Sequence, residues 1–361
     1  MSFQTDTIEL QASAFTAKNL PDFNFNHIQN LTDDTGMLQH ALFDLPNRKE
    51  GYCIDDNARA LLLMVWAGAY KSVETPRRLL PIYLSYIHYM QTKDGFFRNF
   101  MNYDKHIEED RGSEDSFGRT IMALGFLVND SKSTNLVRTG ADLFNKAYPH
   151  IKHLRSLRGM ANAVVGLCQY VKYNYPDDQK VALICQLADK LTGAYEDHQA
   201  ADWHWFEPTL TYDNAILPLA LLNAYEITQY EVYKEVAFES MEFLESIVVR
   251  DGVLSPVGNQ GWCSRDKEAA RFDQQGIDVM AMVLFYQQAF RLTREKSFLH
   301  AMYNSYQWFL GRNDLATPLY DPTTGGCADG LHSEGVNLNQ GAESTLAYWI
   351  SHVVVERALA E

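Results

Sequence analysis

Residues 51–61 read GYCIDDNARAL, and an apolar run from Ala60 to Ala69 follows without a break. A helix that is apolar on nearly all sides is a buried one. This one opens on an acid pair, Asp55-Asp56, at its polar end. Three later stretches open in a similar way: Asp115-Ser116-Phe117-Gly118-Arg119-Thr120, Tyr212-Asp213-Asn214-Ala215-Ile216-Leu217 and Asn339-Gln340-Gly341-Ala342-Glu343-Ser344. Each carries a small residue just inside the helix, where helices crowd around an axis. Buried helices are read as starting near Asp55, Glu114, Arg155, Asp213, Asp273 and Asn339, at irregular intervals of about 40 to 70 residues, as in repeats whose loops vary.

Amphipathic helices are expected between these starts, over 76–91, 133–147, 177–194, 231–248 and 295–310. The last is the clearest: Phe298, Leu299, Met302, Tyr303, Tyr306, Phe309 and Leu310 recur at helical spacing. A sixth, over 35–44, precedes the first start. Six buried helices, each paired with an amphipathic one, predict an all-α fold, an (α/α)6 toroid of two concentric rings. Only minor short strands are expected, at Gly95–Asn99 and Gly252–Ser255. The toroid is assigned residues 31–361 as a single domain, with 1–30 an N-terminal extension. Pro81 and Pro218 fall inside predicted helices, and each calls for a kink or a later start.

Composition excludes several classes. The chain has 361 residues, 46% apolar and 21% charged, within the range of globular proteins. Its net charge of −15 opposes binding to a phosphate backbone, so nucleic acid is not an expected partner. No apolar run approaches the ~20 residues of a membrane helix, and MSFQTDTIEL has neither the basic nor the apolar region of a signal peptide. Five cysteines with no close pair fit a reducing compartment, so a cytoplasmic location is expected.

The repeated arrangement resembles the six-hairpin glycosidase superfamily, over most of the chain after about residue 30. The 51–61 motif looks like that of poorly characterised bacterial proteins of this fold found beside or fused to glycosyltransferases. The adjacent acids Asp55 and Asp56 resemble the aspartate pair of the alpha-mannanases of glycoside hydrolase family 76. The resemblance implies a carbohydrate-active enzyme, a small oligosaccharide or glycan as substrate, and a glycosyltransferase as partner. The same fold also hosts epimerases, so the reaction must be argued from the site.

In a toroid the inner helices run parallel, and their N-termini converge on one face. Glycoside hydrolysis needs two carboxyl groups there, one to protonate the leaving oxygen and one to attack or to activate water. Candidates are Asp55 or Asp56 with Asp115, Asp213 or Glu343. N-capping is the alternative role for each acid, since acids suit the first helical turn. Candidates for sugar binding are Trp203, His204, Trp205 and Glu207 from one aromatic loop, with Trp262, Glu114 and His332. Aromatic rings stack on sugar faces or plug a core. Arg59, Arg119 and Arg271 either take anionic groups or pair with neighbouring acids. Cys263, Cys327 and His332 make up a competent zinc set that resembles that of the lanthionine cyclases but lacks their contiguous Cys-His, and no metal or other cofactor is expected. An epimerase would work through histidines as acid and base, of which the expected face offers His153, His204 and His332. A non-catalytic sugar-binding role is the third reading.

Overall fold

The computed structural model describes residues 20–70, 74–107, 109–173 and 176–360. Twelve α-helices occupy them: α1 Asn26–Leu31, α2 Ile54–Tyr70, α3 Glu74–Met90, α4 Glu114–Asp130, α5 Thr134–Ile151, α6 Leu157–Tyr173, α7 Asp178–His198, α8 Ile216–Thr228, α9 Glu231–Val248, α10 Gly276–Thr293, α11 Lys296–Tyr306 and α12 Ala342–Ala360. Helices α2, α4, α6, α8, α10 and α12 contact one another in that order, and α12 returns to α2, which closes an inner ring. Each is covered from outside by a partner: α3, α5, α7, α9 and α11 on the first five, and α1 on α12. The fold is an (α/α)6 toroid.

The physical cause is the split between two kinds of helix. Helix α6 buries fourteen consecutive residues, Arg158 to Val171, and α12 buries most of its length. The outer α5 buries a single stripe, Val137, Gly140, Leu143, Phe144, Ala147 and Ile151. Small residues set how closely the inner ring packs. A methyl group on Gly118 would stand 2.3 Å from the Gly159 carbonyl oxygen, and one on Gly125 would stand 2.2 Å from that of Gly166. Helices α4 and α6 therefore meet backbone to backbone.

The strands are short antiparallel pairs in the connections: Tyr52–Cys53 with Phe100–Met101, Thr209–Leu210 with Cys263–Ser264, and Gly330–His332 with Gly335–Asn337. Val253–Leu254, within the expected Gly252–Ser255, pairs with Val249–Arg250.

Two details differ from the sequence reading. Residues 35–44 form no helix. Asp33 accepts the backbone N–H groups of Thr35 and Gly36, which turns the chain, and Ala41–Leu42 pairs with Leu45–Pro46 as a hairpin. The sixth outer position is filled instead by α1, within the expected extension. There Phe23 stacks on Trp349 at 5.5 Å, and His27 Nε2 lies 2.6 Å from the Gln340 carbonyl oxygen. The rest of that extension, residues 1–19, lies outside the described residues. Pro218 is the third residue of α8, so no intrahelical bond is lost and the helix simply starts later than Asp213. Pro81 lies inside α3, on its exposed side.

Candidate active site

The N-terminal ends of α2 and α12, with the connection leading into α10, line an open cleft of about 460 Å³. Helix α2 contributes Asp55, Asp56 and Arg59, and α12 contributes Glu343 and Ser344. The connections add His40, Asn259, Asp273, Asp329 and His332.

At the centre stands Arg59, 5% exposed. Its Nη1 lies 3.0 Å from Asp56 Oδ1 and its Nη2 lies 2.8 Å from Glu343 Oε2. One planar guanidinium thus holds two carboxylates side by side. Their surroundings differ. The Asp56 side chain is 6% exposed and that of Glu343 is 44% exposed. Burial, with the negative charge of Glu343 and Asp55, pushes the Asp56 carboxyl up to about 6 against the opposing pull of Arg59. The Cys53 thiol donates to Asp56 Oδ2 at 3.0 Å, and burial and the Asp56 charge push that thiol well up.

A second chain of charges descends from Asp55. Arg119 Nη1 reaches Asp55 Oδ1 at 3.3 Å, and its Nη2 reaches Asp213 Oδ2 at 3.1 Å. Asp213 is almost wholly buried, and burial raises its carboxyl too. Below it Asp278, 8% exposed, is pushed up to about 8 by burial and by the Asp213 charge. Arg119 and Asp213 line a small apolar cavity under the cleft rather than the cleft itself.

The opposite wall carries an imidazole. His332 Nδ1 lies 2.7 Å from Asp273 Oδ1, and Gln260 Nε2 donates to Asp273 Oδ2 at 3.0 Å. Both acid oxygens are engaged, so the ring is oriented and its Nε2 remains available.

The other candidates lie elsewhere. Glu114 accepts the N–H groups of Arg155 and Ser156 at 2.6 Å each, which caps the start of α6. Asp115 accepts from the hydroxyls of Ser156 and Tyr212. Glu207 pairs with Arg158 at 2.8 Å, and Arg158 also donates to Thr211 Oγ1 at 2.7 Å, which ties the loop before α8 to α6. Trp203 and Trp205 are 3% and 0% exposed. The Trp203 indole donates to the Glu207 carbonyl, and both rings pack among Phe206 and Phe243. Buried in this way, they offer no surface to a sugar. His204 pairs with Glu239 on the outer α9. Trp262 is half-buried against the core and does not line the cleft. Arg271 is held by Asp314 at 2.7 Å, away from the cleft. Of the metal candidates, Cys263 and Cys327 are buried with their thiols turned to backbone carbonyls. His153 is exposed beside Phe96 and Arg111.

His40, Cys53 and Asp329 line the cleft without having been singled out from the sequence. Asp329 takes the Gly341 N–H at 2.7 Å and the Ser344 hydroxyl at 2.8 Å, which fixes the start of α12 beside Glu343.

No family model matches the chain, and no curated protein sequence does. Solved structures do. The cellobiose 2-epimerase of Spirochaeta thermophila superposes over 100% of both chains with a TM-score of 0.73 at 10% identity. That of Bacillus thermoamylovorans covers 92% of this chain and 94% of its own, with a TM-score of 0.72 at 13% identity. The family 76 alpha-mannanase of Bacteroides thetaiotaomicron covers the same shares, with a TM-score of 0.64 at 10% identity. At these identities the likeness is one of fold: the chain is an (α/α)6 toroid of the kind found in both sugar epimerases and glycosidases. Among the described residues, no helix is long and apolar enough to cross a membrane.

Proposed function

We propose that the protein is a carbohydrate-active enzyme and that its cleft hydrolyses glycosidic bonds, with Asp56 as general acid and Glu343 as base or nucleophile. The observation that carries this reading is the pair itself. Two carboxyls share the Arg59 guanidinium, one buried with its proton held up to about 6, the other open to water. Environments that separate two carboxyls in this way divide the acid role from the base role. Asp55 is the anchoring member of its pair, bound to Arg119, and sets the charge next to Asp56. Asp115 and Asp213 are occupied below or beside the cleft and act through position only. A cleft of about 460 Å³ accepts a short oligosaccharide. The resemblance of the 51–61 motif favours a glycosyltransferase as partner.

The second reading is epimerisation or isomerisation of a sugar. It is favoured by the His332–Asp273 contact, which orients an imidazole into the same cleft as an acid or base. Turnover of a panel of manno-, gluco- and cello-oligosaccharides separates the two. Under hydrolysis, Asp56→Asn and Glu343→Gln each lower kcat/KM by about 10²–10⁴, as expected when a general acid or base is lost, while His332→Asn has the smaller effect. A variant order in which His332→Asn abolishes turnover and Asp56→Asn leaves it intact refutes hydrolysis and supports epimerisation.

A further inference from the structure

The inner helices also end together. Their C-terminal turns surround a second cavity of about 260 Å³, at the far end of the ring from the cleft. Part of its lining is internally satisfied. Lys172 reaches Glu226 at 2.7 Å, Arg291 reaches the same acid at 3.6 Å, and Gln288 donates to it at 2.7 Å. The positive side chains there also suit the partial negative charge of helix C-termini. Two lining groups are not accounted for in this way. Arg357, in the last turn of α12, and Gln287, on α10, have no hydrogen bond or ion pair among the described residues. Asp130, which lines the same cavity, feels the Arg357 charge from beyond ion-pair distance. The cavity therefore holds a spare guanidinium and a spare amide, inside a chain whose net charge is −15.

A spare guanidinium forks onto two oxygens of a phosphate or carboxylate. A spare amide suits a hydroxyl group; the neighbouring Asn129 and Gln169 amides already donate to Asp130 and Asn223. The volume lies just below the ~300–1,000 Å³ of sites for drug-sized ligands, which suits a ligand the size of a monosaccharide. We propose that this cavity binds a monosaccharide carrying one anionic group, with Arg357 on the anion and Gln287 on a hydroxyl. The site is separate from the cleft and does not depend on the reaction carried out there.

The test is calorimetric titration of the full chain with glucose 6-phosphate, glucuronate and glucose. At least one of the two anions is expected to bind, with glucose at least tenfold weaker. The tighter of the two identifies the group as phosphate or carboxylate. Arg357→Gln is expected to weaken binding at least tenfold, and Gln287→Leu severalfold. Asp56→Asn, in the cleft, is expected to leave the Kd unchanged. Circular dichroism checks the fold of each variant, and Gln287→Leu carries the test if Arg357→Gln does not fold. No binding of either anion, equal binding of glucose, wild-type affinity in the folded variants, or loss of binding in Asp56→Asn each overturns the proposal.

Discussion

Asp278→Asn should stabilise this protein, and increasingly so as pH rises. Asp278 has a folded value of about 8 against an ordinary 3.8, because it is buried and sits beside the Asp213 charge. A carboxyl raised on folding contributes stability that is fully present below its unfolded value and is lost as pH rises through its folded value. The window here runs from about pH 4 to about pH 8. Each unit of separation is worth about 1.4 kcal/mol. Between pH 5 and pH 7.5 the unfolded chain has released this proton while the folded chain still holds most of it, so wild type loses roughly 3 kcal/mol from this one group. Coupling to Asp213 and local relaxation reduce this to about 2 kcal/mol. Asparagine is the neutral isostere and carries no such loss. Its carbonyl oxygen can still accept from the Asn214 N–H, now 3.5 Å from Asp278 Oδ1. The assay is urea unfolding of both proteins at pH 5 and at pH 7.5, compared as a difference of differences so that other titrating groups cancel. The variant should gain about 2 kcal/mol relative to wild type between the two pH values. Parallel behaviour of the two proteins would refute the assignment of a held proton to Asp278.

Further outcomes follow from the same geometry. If Asp56 is the acid, kcat/KM should fall about tenfold per pH unit above about 6, since only the protonated form donates, and a pH–rate profile checks this. Arg59→Met removes the charge that holds Asp56 down, so that alkaline limb should move to higher pH by about one unit or more; Glu343, 44% exposed, is hydrated in its place, so the cost by thermal unfolding should be only about 1–3 kcal/mol, from the lost charge-assisted hydrogen bonds. Gly166→Ala places a methyl group 2.4 Å from the Ile121 carbonyl oxygen and should cost about 3 kcal/mol or more, whereas Gly193→Ala, with no atom within 4 Å, should gain about 0.5–1 kcal/mol from helix propensity. Melting temperatures of the two variants should therefore move in opposite directions.

The ring itself was legible because burial leaves a direct mark on sequence. The run after Asp55 is apolar on every side, which marks a buried helix, and its alternation with amphipathic helices along the chain marks a double ring. The outer helices were legible for the complementary reason, a single apolar stripe. What decides the use of a loop is less visible. Trp203 and Trp205 have the composition of a sugar platform and of a core plug alike, and only the packing of Phe206 and Phe243 around them makes them a plug. Glu114 and Asp56 both open inner helices, yet one turns onto the backbone of α6 and the other onto Arg59 and Cys53. Sequence spacing does not encode that choice. Reading 35–44 as a helix hid His40, because the turn made by Asp33 competes with helix through side-chain bonds to backbone. His332 and Asp273 lie far apart in sequence, and their pairing follows from the Gly330–His332 strand packing beside the start of α10, where Gln274 and Leu331 exchange backbone hydrogen bonds.

The most direct measurement of the proposed chemistry is a proton NMR time course in D₂O, with wild-type protein and an oligosaccharide that it turns over. Hydrolysis at the Asp56–Glu343 pair predicts a new reducing end and a new non-reducing end, with no deuterium at C2 of the product. Deuterium appearing at C2 of a sugar whose glycosidic bond stays intact would contradict hydrolysis and move the reaction to the His332–Asp273 wall.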